Sequence, residues 1–147
     1  MTRVEPMPTI TVSAVLITDR DGRFLSVRKR GTAAFMLPGG KPERDEAPEA
    51  TAAREIREEL GLRIPLGELA PLGRYETAAA NEAGHRLIGE VFAWTESTRH
   101  VGQLARLKPH AEIEELLWLS PQEAMTRPDV APLTRDCVLP GLPGTRV

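Results

Sequence analysis

The chain has 147 residues, 41% of them hydrophobic, which is enough for one domain with a buried core. A net charge of −2, with no dominant basic stretch, argues against a nucleic-acid duplex as the main partner. One cysteine excludes a disulfide framework, and no apolar run reaches the length of a membrane span.

MTRVEPMPTI carries no apolar signal core, so a cytoplasmic location is expected. Residues 1–8 are predicted to be a flexible arm, since Pro6 and Pro8 disfavour regular structure. Thr9–Thr18 is rich in β-branched residues and reads as a buried strand. Asp21-Gly22 signals a hairpin turn, and the return strand Phe24–Arg30 alternates Leu25 and Val27 with Ser26 and Arg28. Arg28, Lys29 and Arg30 form a charged strand end. One or two of them facing a cleft would take phosphate charge, and Arg28 is the candidate taken forward. Phe35–Leu37 is a short strand running into Pro38-Gly39-Gly40, where glycines let the backbone approach a ligand closely. Lys41 and Arg44, in the loop that follows, are further candidates for phosphate contact.

A helix is predicted over Pro48–Leu60: proline suits the first position, no glycine or further proline follows, and Gly61 suits a left-handed cap. At about 100° per residue, Glu55, Glu58 and Glu59 share one stripe, while Ala53, Ile56 and Leu60 form an apolar one. Such charged segments are most often solvated faces. Here the three carboxylates repel one another, by roughly a few tenths of a kcal/mol per exposed i,i+4 pair. They also sit at the end where the helix dipole disfavours negative charge. A bound divalent cation would remove both problems, and an oxygen-only donor set suits Mg²⁺, with Mn²⁺ as the alternative. One cysteine and three scattered histidines argue against zinc.

Beyond the helix, Leu62–Leu72 holds Pro65, Gly67 and Pro71 and predicts a broken strand, continued by Gly73–Ala78. Asn81–Gly84 is a turn, and His85–Thr95 is the second strand of a hairpin. Tyr75 and Trp94 read as packing residues, His85 and His100 as solvated loop residues, and His110 as a loop residue near the cleft. Leu116–Leu119 is the last strand, followed by a short helix with Ser120 as N-cap and Pro121 at the first position. Residues 9–127 thus make up the domain. Residues 128–147, with Pro128, Pro132, Pro140 and Pro143, read as an extended tail lying on the body or on the partner subunit of a homodimer.

The spacing from Gly40 to Leu62 matches a known signature at every defined position: Gly40, Glu46, Arg54-Glu55-Ile56, Glu58-Glu59 and Gly61-Leu62. In this stretch the chain resembles the Nudix hydrolases. The resemblance implies an α/β/α sandwich around a mixed β-sheet, and hydrolysis of a nucleoside diphosphate linked to a further group by attack of water on phosphorus. It implies that Glu55, Glu58 and Glu59 bind the metal, joined by a main-chain carbonyl of Gly39 or Gly40. It implies that Arg54 orients loop and helix, with Glu46 the expected partner, and that Gly61 ends the helix. A further acidic residue often precedes the last strand in this family; Glu112, Glu114 and Glu115 qualify, and Glu112 is favoured. One of Glu58, Glu59 and Glu112 would then deprotonate or orient the attacking water.

The substrate is less legible. Members that take ADP-ribose carry a proline beyond the signature, but Pro71 comes too early and Tyr75–Ala79 has none. By exclusion and size, a nucleoside triphosphate, including oxidised ones, is the expected substrate. The alternatives are ADP-ribose or sugar nucleotides, and a nucleotide-sensing module without turnover. An isomerase on the same fold is disfavoured, since Cys137 sits in the tail.

Overall fold

The computed structural model describes residues 7–97 and 102–142; most of the N-terminal arm, His100 and Pro143 lie outside these. Strand β1 (Thr9–Thr18) is central because both its faces are apolar. Val15 and Ile17 point to one side, Ala14 and Leu16 to the other, and all four are buried. A strand buried on both faces belongs between two layers. It pairs in parallel with β6 (Arg86–Thr95) along its whole length, from Thr9 beside Arg86 to Thr18 beside Thr95. Strand β5 (Ala70–Ala78) forms the expected antiparallel hairpin with β6.

Strand β2 (Phe24–Lys29) meets β1 at the hairpin, where Thr18 pairs with Phe24, and then pairs with β3 (Phe35–Met36) and β7 (Ile113–Leu119). The side of β1 that β2 leaves open is taken by the two-residue strand β4 (Gly39–Gly40), beside Ser13 and Ala14. Among the described residues these seven strands form one mixed sheet.

Helix α1 (Pro48–Leu60) begins at the proline and ends where Gly61 adopts φ 72° and donates to the Arg57 carbonyl, 2.9 Å. Its apolar stripe places Ala52, Ile56 and Leu60 against Val15, Leu25, Val27 and Phe92. The opposite layer contains α2 (Pro121–Met125), capped by Ser120 Oγ accepting from the Glu123 N–H, 3.1 Å. With it lie Val130, Leu133, Val138 and Leu139, packed on Leu16, Phe24, Val91 and Leu119. The result is an α/β/α sandwich. Among the described residues no helix is long and apolar enough to cross a membrane.

Three elements differ from the sequence reading. The broken strand after α1 is a 3-10 turn, Leu66–Glu68, before β5 starts at Ala70. Strand β7 starts at Ile113, not Leu116: it pairs with β2 from Ile113 onward, and Glu114 and Glu115 meet Arg30, just past the end of β2, and Arg28 of β2, at 3.3 and 3.1 Å. The tail is helical rather than extended: a π-helical turn covers Leu133–Val138 and a 3-10 turn Leu139–Gly141. Its prolines fit, since Pro132 precedes the first turn with φ −55° and Pro140 falls at the start of the second.

The tail thereby completes a core layer. Leu139→Ala is expected to cost about 2–5 kcal/mol in urea unfolding; a change near zero would show that the tail contributes nothing to the fold.

Candidate active site

Arg54 ties the loop after β4 to the helix. Its Nε and Nη2 donate to the two carboxylate oxygens of Glu46, at 2.8 and 2.9 Å. Nη2 also donates to the Lys41 carbonyl, 3.0 Å, and Nη1 to Glu55 at 2.9 Å and Glu58 at 3.3 Å. A planar guanidinium can serve all these acceptors together, whereas an ammonium cannot. Glu46 further accepts from the Thr51 hydroxyl, 2.7 Å, and from the Glu43 N–H, 3.0 Å. The Arg54 hydrogen bonds, then the backbone and Thr51, hold the Glu46 carboxyl down at about 2, and Arg54 is raised in turn.

The double glycine is fixed from both sides. A side chain at Gly39 would collide with the Ser13 carbonyl and Ala14, and one at Gly40 with the Glu55 carboxylate. The Gly39 N–H donates to Glu59 Oε1, 2.9 Å. Glu59 is only 4% exposed, although it lies on the charged stripe. Burial pushes its carboxyl up to about 8, with Glu55 and Glu112 acting the same way and the Gly39 N–H and Lys29 opposing.

A cavity of about 500 Å³ opens beside these groups, and Gly39, Gly40, Glu55, Glu58, Glu59 and Glu112 line it. Glu112 is carried by a loop held at two points. The His110 N–H donates to the Glu59 carbonyl and the Arg30 N–H to the Glu112 carbonyl, both at 2.8 Å. Between them Ala111 adopts φ 55°, a left-handed conformation unusual for a residue with a side chain. His110 itself lies beside Gly61, outside the cavity lining.

The basic candidates are distributed differently. Lys41 lines the cavity, whereas Arg44 is exposed in the loop and does not. Arg28 donates to Glu115, 3.1 Å, and to the Thr32 carbonyl, 3.0 Å, and is absent from the lining. Lys29 lines the cavity instead. The alternation Leu25, Val27, Lys29 carries the signal for this, because Leu25 and Val27 face α1. Asn81 and Glu82, from the turn already read in the sequence, also line the cavity, as does Thr134, which no motif marked.

Glu55, Glu58, Glu59 and Glu112 line the same cavity as Gly39 and Gly40, and oxygen donors of this kind suit a divalent cation such as Mg²⁺. Among the described residues no three acidic, histidine or cysteine side chains are already drawn together around an ion position. Arg54 Nη1 instead lies between Glu55 and Glu58. Arg54→Lys cannot hold both loop and helix, so kcat/KM for the hydrolysis that the signature implies should fall about 10²-fold; a drop of less than about twofold would remove Arg54 from this role. The Glu46 pair also makes a pH prediction. The folded carboxyl lies below its unfolded value of 4.5, so its stabilisation is complete above that pH and is lost as pH falls toward 2. In urea unfolding, the advantage of wild type over Glu46→Gln should shrink across that window; an advantage that grows toward low pH would contradict the pairing.

The comparisons with known proteins agree with this architecture. The family model for the NUDIX domain matches residues 7–139. A MutT-like protein of Streptomyces ambofaciens is 32% identical over 83% of this chain and 70% of its own length. The CTP pyrophosphohydrolase of Escherichia coli (strain K12) is 32% identical over 83% of this chain and 84% of its own length. The crystal structure of the MutT protein from Methanosarcina mazei Go1 superposes with a TM-score of 0.71 over 90% of this chain and 92% of that one, at 23% identity, and shares the fold. The chain therefore belongs to the Nudix hydrolase family and is a pyrophosphohydrolase, an enzyme acting on phosphorus-containing anhydrides.

Proposed function

We infer that the substrate is a nucleoside triphosphate or a close relative, and that cleavage depends on Mg²⁺, with Mn²⁺ able to replace it. The observation that carries this reading is a cavity lining that, among the described residues, combines Glu55, Glu58, Glu59, Glu82 and Glu112 with only Lys29 and Lys41. Five carboxyl groups and two ammonium groups cannot hold a polyphosphate without more positive charge. Glu55, Glu58 and Glu59, with a Gly39 or Gly40 carbonyl, are the groups that would hold the cation. When bound it neutralises phosphate charge and makes a coordinated water more acidic.

The chain's own groups supply the remaining requirements. Lys29 and Lys41 offer point charges to phosphate oxygens. Arg54 keeps Glu55 and Glu58 in place relative to the loop. One of Glu58, Glu59 and Glu112 takes the proton from the attacking water. The water oxygen bonds to phosphorus, and the anhydride P–O bond breaks with its electron pair leaving on the departing phosphate. CTP heads the substrate panel because a relative of this length is named for it. The cavity, within the size range of pockets that enclose a drug-sized ligand, is compatible with one mononucleotide.

A panel of nucleoside triphosphates, sugar nucleotides and dinucleoside polyphosphates, incubated with Mg²⁺ and followed by product identification, tests the substrate class. Glu58→Gln should lower the Mg²⁺-dependent rate on the best substrate by at least about 10²-fold while the circular-dichroism spectrum is retained. Turnover like wild type in that variant would remove the helix from catalysis.

A further inference from the structure

The cavity extends along β1 away from the carboxylates. Ile10 lies three residues from Ser13, the partner of Gly40, which is roughly 10 Å of strand. At that end the lining is aliphatic: Ile10 and Val12 of β1, Leu87 of β6 and Leu133 of the π-helical turn. Leu133 can lie over β6 because residue 89 is glycine; a Cβ there would come within 2.9 Å of Leu133 Cδ2. No phenylalanine, tyrosine or tryptophan among the described residues lines the cavity, so a planar ring here would meet aliphatic groups rather than an aromatic stack.

Polar residues also reach the lining: Asn81 and Glu82 of the turn between β5 and β6, and Thr134. Thr134 lines the cavity, is fully buried, and its Oγ1 has no hydrogen-bond partner. An unpartnered buried hydroxyl costs free energy, and native proteins seldom keep one without a reason. The other such group among the described residues, Ser26 Oγ, is not in the cavity lining. Thr134 is presented by a π-helical turn, a distortion that recurs at functional sites.

We propose that the aliphatic end of the cavity receives the base of the nucleotide, and that Thr134 Oγ1 hydrogen-bonds the polar edge of the ring and thereby sets base preference. The proposal rests on the nucleotide reading above. A hydroxyl in this position would be left unpaired by any ligand without a suitable ring edge, which is how a buried polar group discriminates between ligands.

The test is binding of CMP, UMP, AMP and GMP, with ribose 5-phosphate as the base-free control, by isothermal titration calorimetry with Mg²⁺ present throughout. Thr134→Val removes the hydroxyl at nearly constant shape, and Thr134→Ser keeps it. In wild type at least one monophosphate should bind at least about 10-fold tighter than ribose 5-phosphate. Thr134→Val should weaken that ligand about 10-fold, Thr134→Ser should stay within about twofold of wild type, and ribose 5-phosphate should not distinguish the three. Thermal denaturation should find Thr134→Val at least as stable as wild type; if it does not fold, Thr134→Ala takes its place under the same criteria. Unchanged affinity in the hydroxyl-free variant overturns the proposal, as does a wild type that binds no monophosphate better than ribose 5-phosphate. Base-selective binding weakened by Thr134→Val in a chain without turnover upholds the base site and overturns the hydrolase reading. Turnover with equal binding of all five ligands overturns the base site alone.

Discussion

The guanidinium of Arg54 is the constraint on which the site depends. It sits among the carboxylates of Glu46, Glu55 and Glu58 and the Lys41 carbonyl. Without it, a loop with no regular structure between Lys41 and Ala47 would have to be positioned by Glu46 and Thr51 alone. With it, the loop is tied to the helix through Glu46 and the Lys41 carbonyl. Arg54 also offsets part of the repulsion along the helix, which neighbouring carboxylates and the dipole would otherwise make unfavourable. Its position within the helix thus serves folding and the site together.

The sandwich carries that unit on a rigid base. Ile56 and Leu60 anchor α1 to β1 and β2, so the opposite side of the helix presents Glu55, Glu58 and Glu59 toward β4. Because β2 diverges from β1 after the hairpin, β4 can pair with Ser13 and Ala14 and bring the Gly39 N–H onto Glu59. The same divergence leaves Ile10, Val12 and Ala14 in the lining of the cavity. A site built where strands part, with helices on both faces, has one polar wall and one apolar end within a single cavity.

What was legible in the sequence was local. Helix α1 could be bounded from Pro48 and Gly61, and its stripes from the 3.6-residue period. The hairpins followed from their turn residues, and Ser120 from its place before a proline. What depended on distant chain was not legible. The burial of Glu59 comes from β4 and the His110 loop, whose contacts are 20 and 51 residues away. Glu114 and Glu115 hid the start of β7 because their partners, Arg30 and Arg28, lie 84 and 87 residues away, just past the end of β2 and on it. The helical tail was masked by prolines that suggest an extended chain but occupy positions where helical turns accept them. Lys29 stands apart, since the alternation of its own strand pointed to it and its neighbour Arg28 was preferred.

The central claim is that the carboxylates of α1 hold a divalent cation. Titration of Mn²⁺ into the protein, with free ion counted by electron paramagnetic resonance, tests it without reference to any substrate. The account predicts saturable binding that Mg²⁺ displaces and that Glu55→Gln, Glu58→Gln and Glu59→Gln each weaken. Equal Mn²⁺ affinity in wild type and all three variants would contradict it.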